Sequence, residues 1–133
     1  MEQDYRLVCN TMARYIHLVD GQDFDRLDEV FDAESVWVTA NGTEVVGVDN
    51  IATMLRMLVQ FRPRLDRHVV TNVIVDIDGD RATSSSHWSW ELYDDDRRTW
   101  VTASTGSYDD ELRQTGGRWR FARRTLLPND ERR

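Results

Sequence analysis

From residue 67 onward the chain alternates between apolar and polar residues, and turn residues interrupt this alternation three times. A period of two predicts β-strands, here over 67–77, 81–93, 99–112 and 118–127. The intervening segments are short and rich in Asp and Gly, so neighbouring strands are expected to pair antiparallel. Strands this long twist and curl, and we therefore expect a sheet with one concave face.

The first sixty residues follow a different pattern. Residues 4–20 have helical periodicity, Asp23 precedes a second short helix, and Asp49 begins a third. Between the second and third helices, alternation over 35–47 around Asn41-Gly42 predicts a hairpin. Helices gathered at one end of a chain that continues as an antiparallel sheet indicate an α+β fold. We expect a cone-shaped barrel, in which a strongly curved antiparallel sheet wraps around three N-terminal helices.

Length and charge limit the remaining choices. With 133 residues the chain is expected to form one domain over 1–133, with a core over about 5–127 and a frayed tail at 128–133. A net charge of −7 argues against nucleic acid and against an anionic membrane surface as partners. The acidic N-terminus has no signal-peptide core, and Cys9 is the single cysteine. These features predict a cytoplasmic protein with Cys9 as a structural thiol.

His68 is the first polar residue that does not fit a simple core. It opens the first long strand on a face that continues with Val70, Asn72 and Ile74, and the opposite face is also largely apolar. Such a strand is expected to be covered on both sides, which buries His68 and Asn72. A hydrogen-bonded structural pair is one interpretation, and a functional site is the other.

Asp20 and Tyr15 lie at the end of the first helix. A carboxylate near a helix C-terminus is disfavoured by the helix dipole unless a donor compensates it, and a histidine could be that donor. Alternatively, Asp20 belongs only to the acidic loop that follows the helix. Tyr15 lies on the apolar stripe of the helix, where a plain core tyrosine would also fit.

The later strands add candidates for a pocket wall. Small residues precede Trp88 and Trp90 on one face of the second long strand, as a tapering cavity would require, although an ordinary aromatic core has the same pattern. Tyr108 can offer its hydroxyl to a ligand. Arg123 shares a face with two aromatic residues, and either binds a ligand oxygen or extends to the rim. His87 falls on the opposite face to the tryptophans, which indicates a surface or subunit-interface residue unless a bulge intervenes.

Metal and cofactor sites fit the sequence poorly. The three histidines have no metal-ligand spacing, and neither a phosphate-binding loop nor a nucleophile elbow is present. We therefore expect neither a metal nor another cofactor.

Five segments together resemble the SnoaL-like branch of the nuclear transport factor 2-like superfamily: YIHLVDGQDFDRLDEVF, VVGVDNI, RHVVTNVIVDIDGDRA, TGSYDDEL and GGRWRFARR. This fold hosts dehydratases, isomerases, cyclases, epoxide hydrolases and binders. The scytalone dehydratase and bile acid 7α-dehydratase families have an aspartate at the end of the first helix and a histidine opening the first long strand. Asp20 and His68 occupy these places, and Tyr15 matches a tyrosine of the bile acid family. The second pocket histidine of the scytalone family has no counterpart, because Trp90 and Leu92 lie near its place.

The resemblance implies a lyase or isomerase in which His68, held by Asp20, abstracts a proton. Tyr15, Asn72 or Tyr108 would donate a hydrogen bond to the resulting enolate. The expected substrate is a small, cyclic, largely apolar molecule such as a polyketide or a steroid-like ring, and dehydration is favoured. Cyclisation and a non-catalytic binding module stay open, and epoxide hydrolysis ranks lower. A homodimer is expected through the outer sheet face, which carries Val101, Ala103, Thr105, Thr83 and Ser85.

Overall fold

The computed structural model describes residues 2–60 and 65–129. Two α-helices, α1 (Glu2–Asp20) and α2 (Val48–Val59), are accompanied by a short 3-10 helix (Phe24–Glu29). The strands are β1 (Phe31–Val38), β2 (Glu44–Val46), β3 (Asp66–Asp78), β4 (Arg81–Asp94), β5 (Thr99–Thr115) and β6 (Arg118–Pro128). The predicted tail begins at Pro128, and its residues 130–133 lie outside the described residues.

The six strands found within residues 2–60 and 65–129 form one sheet in the order β2-β1-β6-β5-β4-β3. The predicted α+β class and the antiparallel pairing of the four long strands are confirmed. One detail of the prediction was wrong: the sheet is mixed, because β1 pairs parallel with β6. Among the described residues the sheet is open, with β2 and β3 as its edges.

The helices pack their apolar sides against the concave face of the sheet. Helix α1 crosses β3 and β6, and it buries Val8, Met12, Tyr15 and Val19 as its periodicity predicted. Leu112, Trp119 and Phe121 complete this core from the sheet side, together with Ile51 and Leu55 of α2. Within the described part of the chain, no helix is long and apolar enough to cross a membrane.

Three irregularities in the sheet change which side chains face the interior. Each inserts one extra residue: in β3 between Thr71 and Ile74, in β5 opposite Trp90 and Glu91, and in β6 opposite Glu111 and Leu112. A bulge bends its strand and reverses the alternation of faces beyond it. By contrast, β4 keeps the predicted alternation over its first half, where Ala82, Ser84, Ser86 and Trp88 are buried.

Candidate functional site

The candidate site is centred on a direct contact between His68 and Asp20. The imidazole Nδ1 lies 2.6 Å from Asp20 Oδ1, and the backbone N–H of His68 donates to Oδ2 at 2.8 Å. A carboxylate can only accept, so Nδ1 carries the proton of this bond, and Nε2 is the acceptor nitrogen of the neutral ring. Each side chain is 19% exposed, which leaves the pair accessible from outside.

Trp90 forms a wall beside this pair. Its ring stacks on the imidazole, with centroids 6.4 Å apart and an interplanar angle of 18°. Its indole N–H donates to Asp66 Oδ2 at 2.8 Å, and this bond fixes the ring orientation. Trp88, the second predicted wall residue, is buried and donates its indole N–H to the Ser107 carbonyl at 3.1 Å.

Tyr15 and Tyr108 lie further inside and are both buried. Their rings meet edge-on at 6.2 Å, and Tyr15 contacts Phe31 and Phe121 in the same way. Burial raises the pKa of Tyr108 above its ordinary value, Tyr15, Asp110 and Asp20 raise it further, and Arg124 opposes this shift. The Tyr108 hydroxyl is therefore protonated across the physiological range and available as a donor.

Two predicted pocket residues lie elsewhere. Asn72 is exposed on the outer face, has a φ of 56°, and bonds His87 Nδ1 at 2.9 Å. Its predicted place in the pocket was wrong because the β3 bulge turns Asn72 and Ile74 outward. Arg123 is also wrong as a pocket residue, since its side chain is 39% exposed and pairs with Glu44 at 2.6 Å. Arg123 faces outward because β6 contains an extra residue, and Arg124 faces the interior instead.

The sequence prediction missed the most deeply buried charges of the described chain. Both side chains of Asp110 and Arg124 are fully buried, with Arg124 Nε 3.3 Å from Asp110 Oδ1. Burial raises the pKa of Asp110 to about 7, Arg124 opposes this shift, and Asp109 adds to it. The sequence could have revealed Asp110, because Gly106, Tyr108 and Asp110 lie at every second position of β5 and therefore share one face. It could not have revealed Arg124, since no composition cue marks the bulge.

The described residues contain no group of three or more His, Cys, Asp or Glu side chains arranged to hold a metal ion. The polar groups that the structure places at and near the candidate site are an imidazole held by a carboxylate, a buried phenol and a buried ion pair.

Comparison with known proteins places this α+β fold. The family model of the SnoaL-like domain matches residues 3–125. The chain therefore belongs to the SnoaL-like domain family, as the resemblance predicted. A comparison with curated protein sequences finds no match.

Solved structures agree on the fold. Aln2 from a Streptomyces species superposes with a TM-score of 0.88 at 22% identity, covering 98% of this chain and 94% of its own. A protein from Catenulispora acidiphila in complex with S-DNPA gives 0.86 at 19% identity, covering 99% and 98%. A candidate scytalone dehydratase from Novosphingobium aromaticivorans gives 0.80 at 20% identity, covering 95% and 84%. At these identities the comparison shows the shared fold alone.

Proposed function

We propose that this protein is a cofactor-independent lyase or isomerase in which His68 abstracts a proton from a carbon next to a carbonyl group. The observation that carries this proposal is the 2.6 Å contact between His68 Nδ1 and Asp20. It holds one tautomer of the imidazole and stabilises the imidazolium that forms when Nε2 accepts a proton. Asp20 acts as the orienting group and His68 as the base.

His68 and a tyrosine hydroxyl supply every protein group that the proposed reaction needs. His68 Nε2 takes the proton, and the electron pair of the C–H bond moves onto the carbonyl oxygen as an enolate. Tyr108 or Tyr15 donates a hydrogen bond to that oxygen. Dehydration is the favoured outcome. The enolate expels a hydroxyl group from the neighbouring carbon, and protonated His68 donates its proton to this hydroxyl group, which leaves as water. Return of the proton to another carbon gives isomerisation, and attack of the enolate on a second carbonyl gives cyclisation.

The proposed substrate is a small, cyclic, largely apolar molecule of polyketide or steroid-like type. The ring of Trp90 supports this choice, because it offers a flat apolar surface stacked on the His68 imidazole, and Trp88 and Tyr108 add buried aromatic rings to the interior. The fold relative in complex with S-DNPA and the candidate scytalone dehydratase are consistent with a small organic ligand in this fold. We also propose, from the sequence, that the protein is cytoplasmic.

A non-catalytic binding module is the second candidate. It is favoured by the burial of Trp88 and Phe121, which fill part of the interior. The His68–Asp20 contact argues against it, because a binder gains nothing from an imidazole held ready to accept a proton.

Hydrogen–deuterium exchange tests the proposed base regardless of the final product. Cyclic β-hydroxy ketones are incubated with the protein in D2O, and NMR records exchange of the C–H next to the carbonyl. We expect His68→Ala to lower the exchange rate by about 10²- to 10⁴-fold, the range of general-base catalysis. His87→Ala, which removes an exposed histidine of the outer face, is the matched control and should retain the rate. Equal rates in wild type and His68→Ala would exclude His68 as the base.

A further inference from the structure

Arg124 and Asp110 form a second polar centre that the proton-transfer step does not use. Arg124 lies on β6 and Asp110 opposite it on β5, and neither side chain has exposed surface. Burying a charge is costly unless hydrogen bonds compensate it. Here the compensation is incomplete, because none of the three guanidinium nitrogens and neither carboxylate oxygen makes a well-directed hydrogen bond.

Aromatic rings surround the guanidinium. Its central carbon lies 3.6 Å from the ring centroid of Tyr108, 4.3 Å from that of Tyr15 and 4.4 Å from that of Phe121. These contacts stabilise the positive charge through the ring faces but do not satisfy the N–H groups. Nε is the nitrogen for which a distance of 3.3 Å to Asp110 Oδ1 defines the ion pair, and Nη1 and Nη2 have no hydrogen-bond acceptor.

We propose that Arg124 and Asp110 form an internal binding site for the carboxylate of a ring compound, with Nη1 and Nη2 of Arg124 as the donors. A planar carboxylate matches the spacing of the guanidinium fork, and the three aromatic rings match a flat apolar ring next to it. A dianion such as phosphate fits less well, because Asp110 lies 3.3 Å from the same guanidinium. Access requires rotation of the Tyr108 or Tyr15 ring, since both now cover the guanidinium.

The charge of Asp110 tunes this site. The charged groups that act on Asp110 are Arg124 on β6 and Asp109 on β5, and Tyr15 on α1 and Tyr108 on β5 line the same cluster. Protonated Asp110 leaves the pair with a net positive charge, whereas ionised Asp110 makes it neutral. Because the pKa of Asp110 is about 7, the carboxylate ligand should bind more tightly at pH 6 than at pH 8.

Calorimetric titration with benzoate, and with benzamide as the uncharged analogue, tests the site. At pH 6 we expect wild type to bind benzoate at least about 10-fold more tightly than benzamide, as a charge-assisted hydrogen bond requires. Arg124→Met should abolish this preference, while Arg123→Met, which alters the neighbouring exposed arginine, should retain it. His68→Ala should also retain it, which separates this site from the proposed base.

Asp110 variants provide the second line of the test. Asp110→Asn should bind benzoate equally at pH 6 and pH 8. Asp109→Asn should keep most of the wild-type difference, because Asp109 is the smallest of the causes that shift the pKa of Asp110. If Arg124→Met does not fold, Asp110→Asn/Arg124→Met removes both charges and replaces it in the titration. The proposal is overturned if wild type fails to bind benzoate or binds benzamide equally well, if a folded variant without Arg124 keeps the preference, or if Asp110→Asn keeps the pH dependence.

Discussion

Asp20 accepts two hydrogen bonds from one residue, and the two bonds have different effects. The bond from the His68 backbone fixes the start of β3 against the end of α1, and the bond from Nδ1 fixes the imidazole. Together they offset the unfavourable position of a carboxylate at a helix C-terminus. A charge that would weaken an isolated helix therefore joins helix and sheet at the candidate site.

At the same scale, the buried carboxyl of Asp110 predicts a pH dependence of stability. Its pKa rises from 3.8 to about 7 on folding, so between these values the folded chain holds a proton that the unfolded chain has lost. The free energy of unfolding contributed by Asp110 therefore falls as the pH rises through this interval, and it is constant above it. Urea unfolding at pH 5 and pH 7.5 should show a smaller decrease for Asp110→Asn than for wild type.

Asp109→Asn is the matched control for this measurement, because Asp109 is exposed and its loss should leave most of the wild-type decrease. Other groups titrate in the same range, so the quantity compared is the difference between each variant and wild type. An identical decrease in Asp110→Asn and wild type would contradict the prediction.

At the scale of elements, strand and helix positions were predictable, whereas the faces of the strands were predictable only up to each bulge. Period two and the Asp- and Gly-rich turns mark where β3 to β6 lie, and His68 precedes the bulge of its strand. Asn72 and Arg123 lie at or beyond an extra residue, and both were assigned to the wrong face. A bulge leaves composition unchanged and is fixed by tertiary pairing, so the local sequence does not reveal it.

Gly106 allows β5 and the Trp88 ring to approach closely. A Cβ at this position would overlap the Leu127 carbonyl oxygen and the Trp88 ring. Gly106→Ala should therefore destabilise the fold by about 3 kcal/mol or more, the upper range for overpacking. Gly116→Ala is the control: its φ of 60° strains an alanine by about 1–2 kcal/mol, but no atom lies within 4 Å. Urea unfolding measures both, and an equal or smaller cost for Gly106→Ala would contradict the predicted overlap.

At the scale of the whole molecule, the outer face of the sheet is the predicted dimer interface. It exposes Ala103, Thr105, Thr83 and Ser85, and the β3 bulge adds Ile74, which is 64% exposed. We expect light scattering after size exclusion to give twice the chain mass of 15.6 kDa. Ile74→Arg should shift the protein toward the monomer, while Ala13→Arg on the exposed side of α1 should not. A wild-type protein of monomer mass would contradict the prediction.

The extra residue in β6 has a consequence for how members of this family could diverge. Adjacent arginines stand there, and the insertion of Ala122 into the pairing directs Arg124 inward and Arg123 toward solvent. Deleting Ala122 would remove the bulge and leave Arg123 opposite Glu111 and Arg124 opposite Asp110, so every later side chain of the strand would keep its face. A single-residue deletion here could thus shorten the strand without changing the lining of the interior, and alignments of relatives that place the gap elsewhere would compare side chains that face opposite ways.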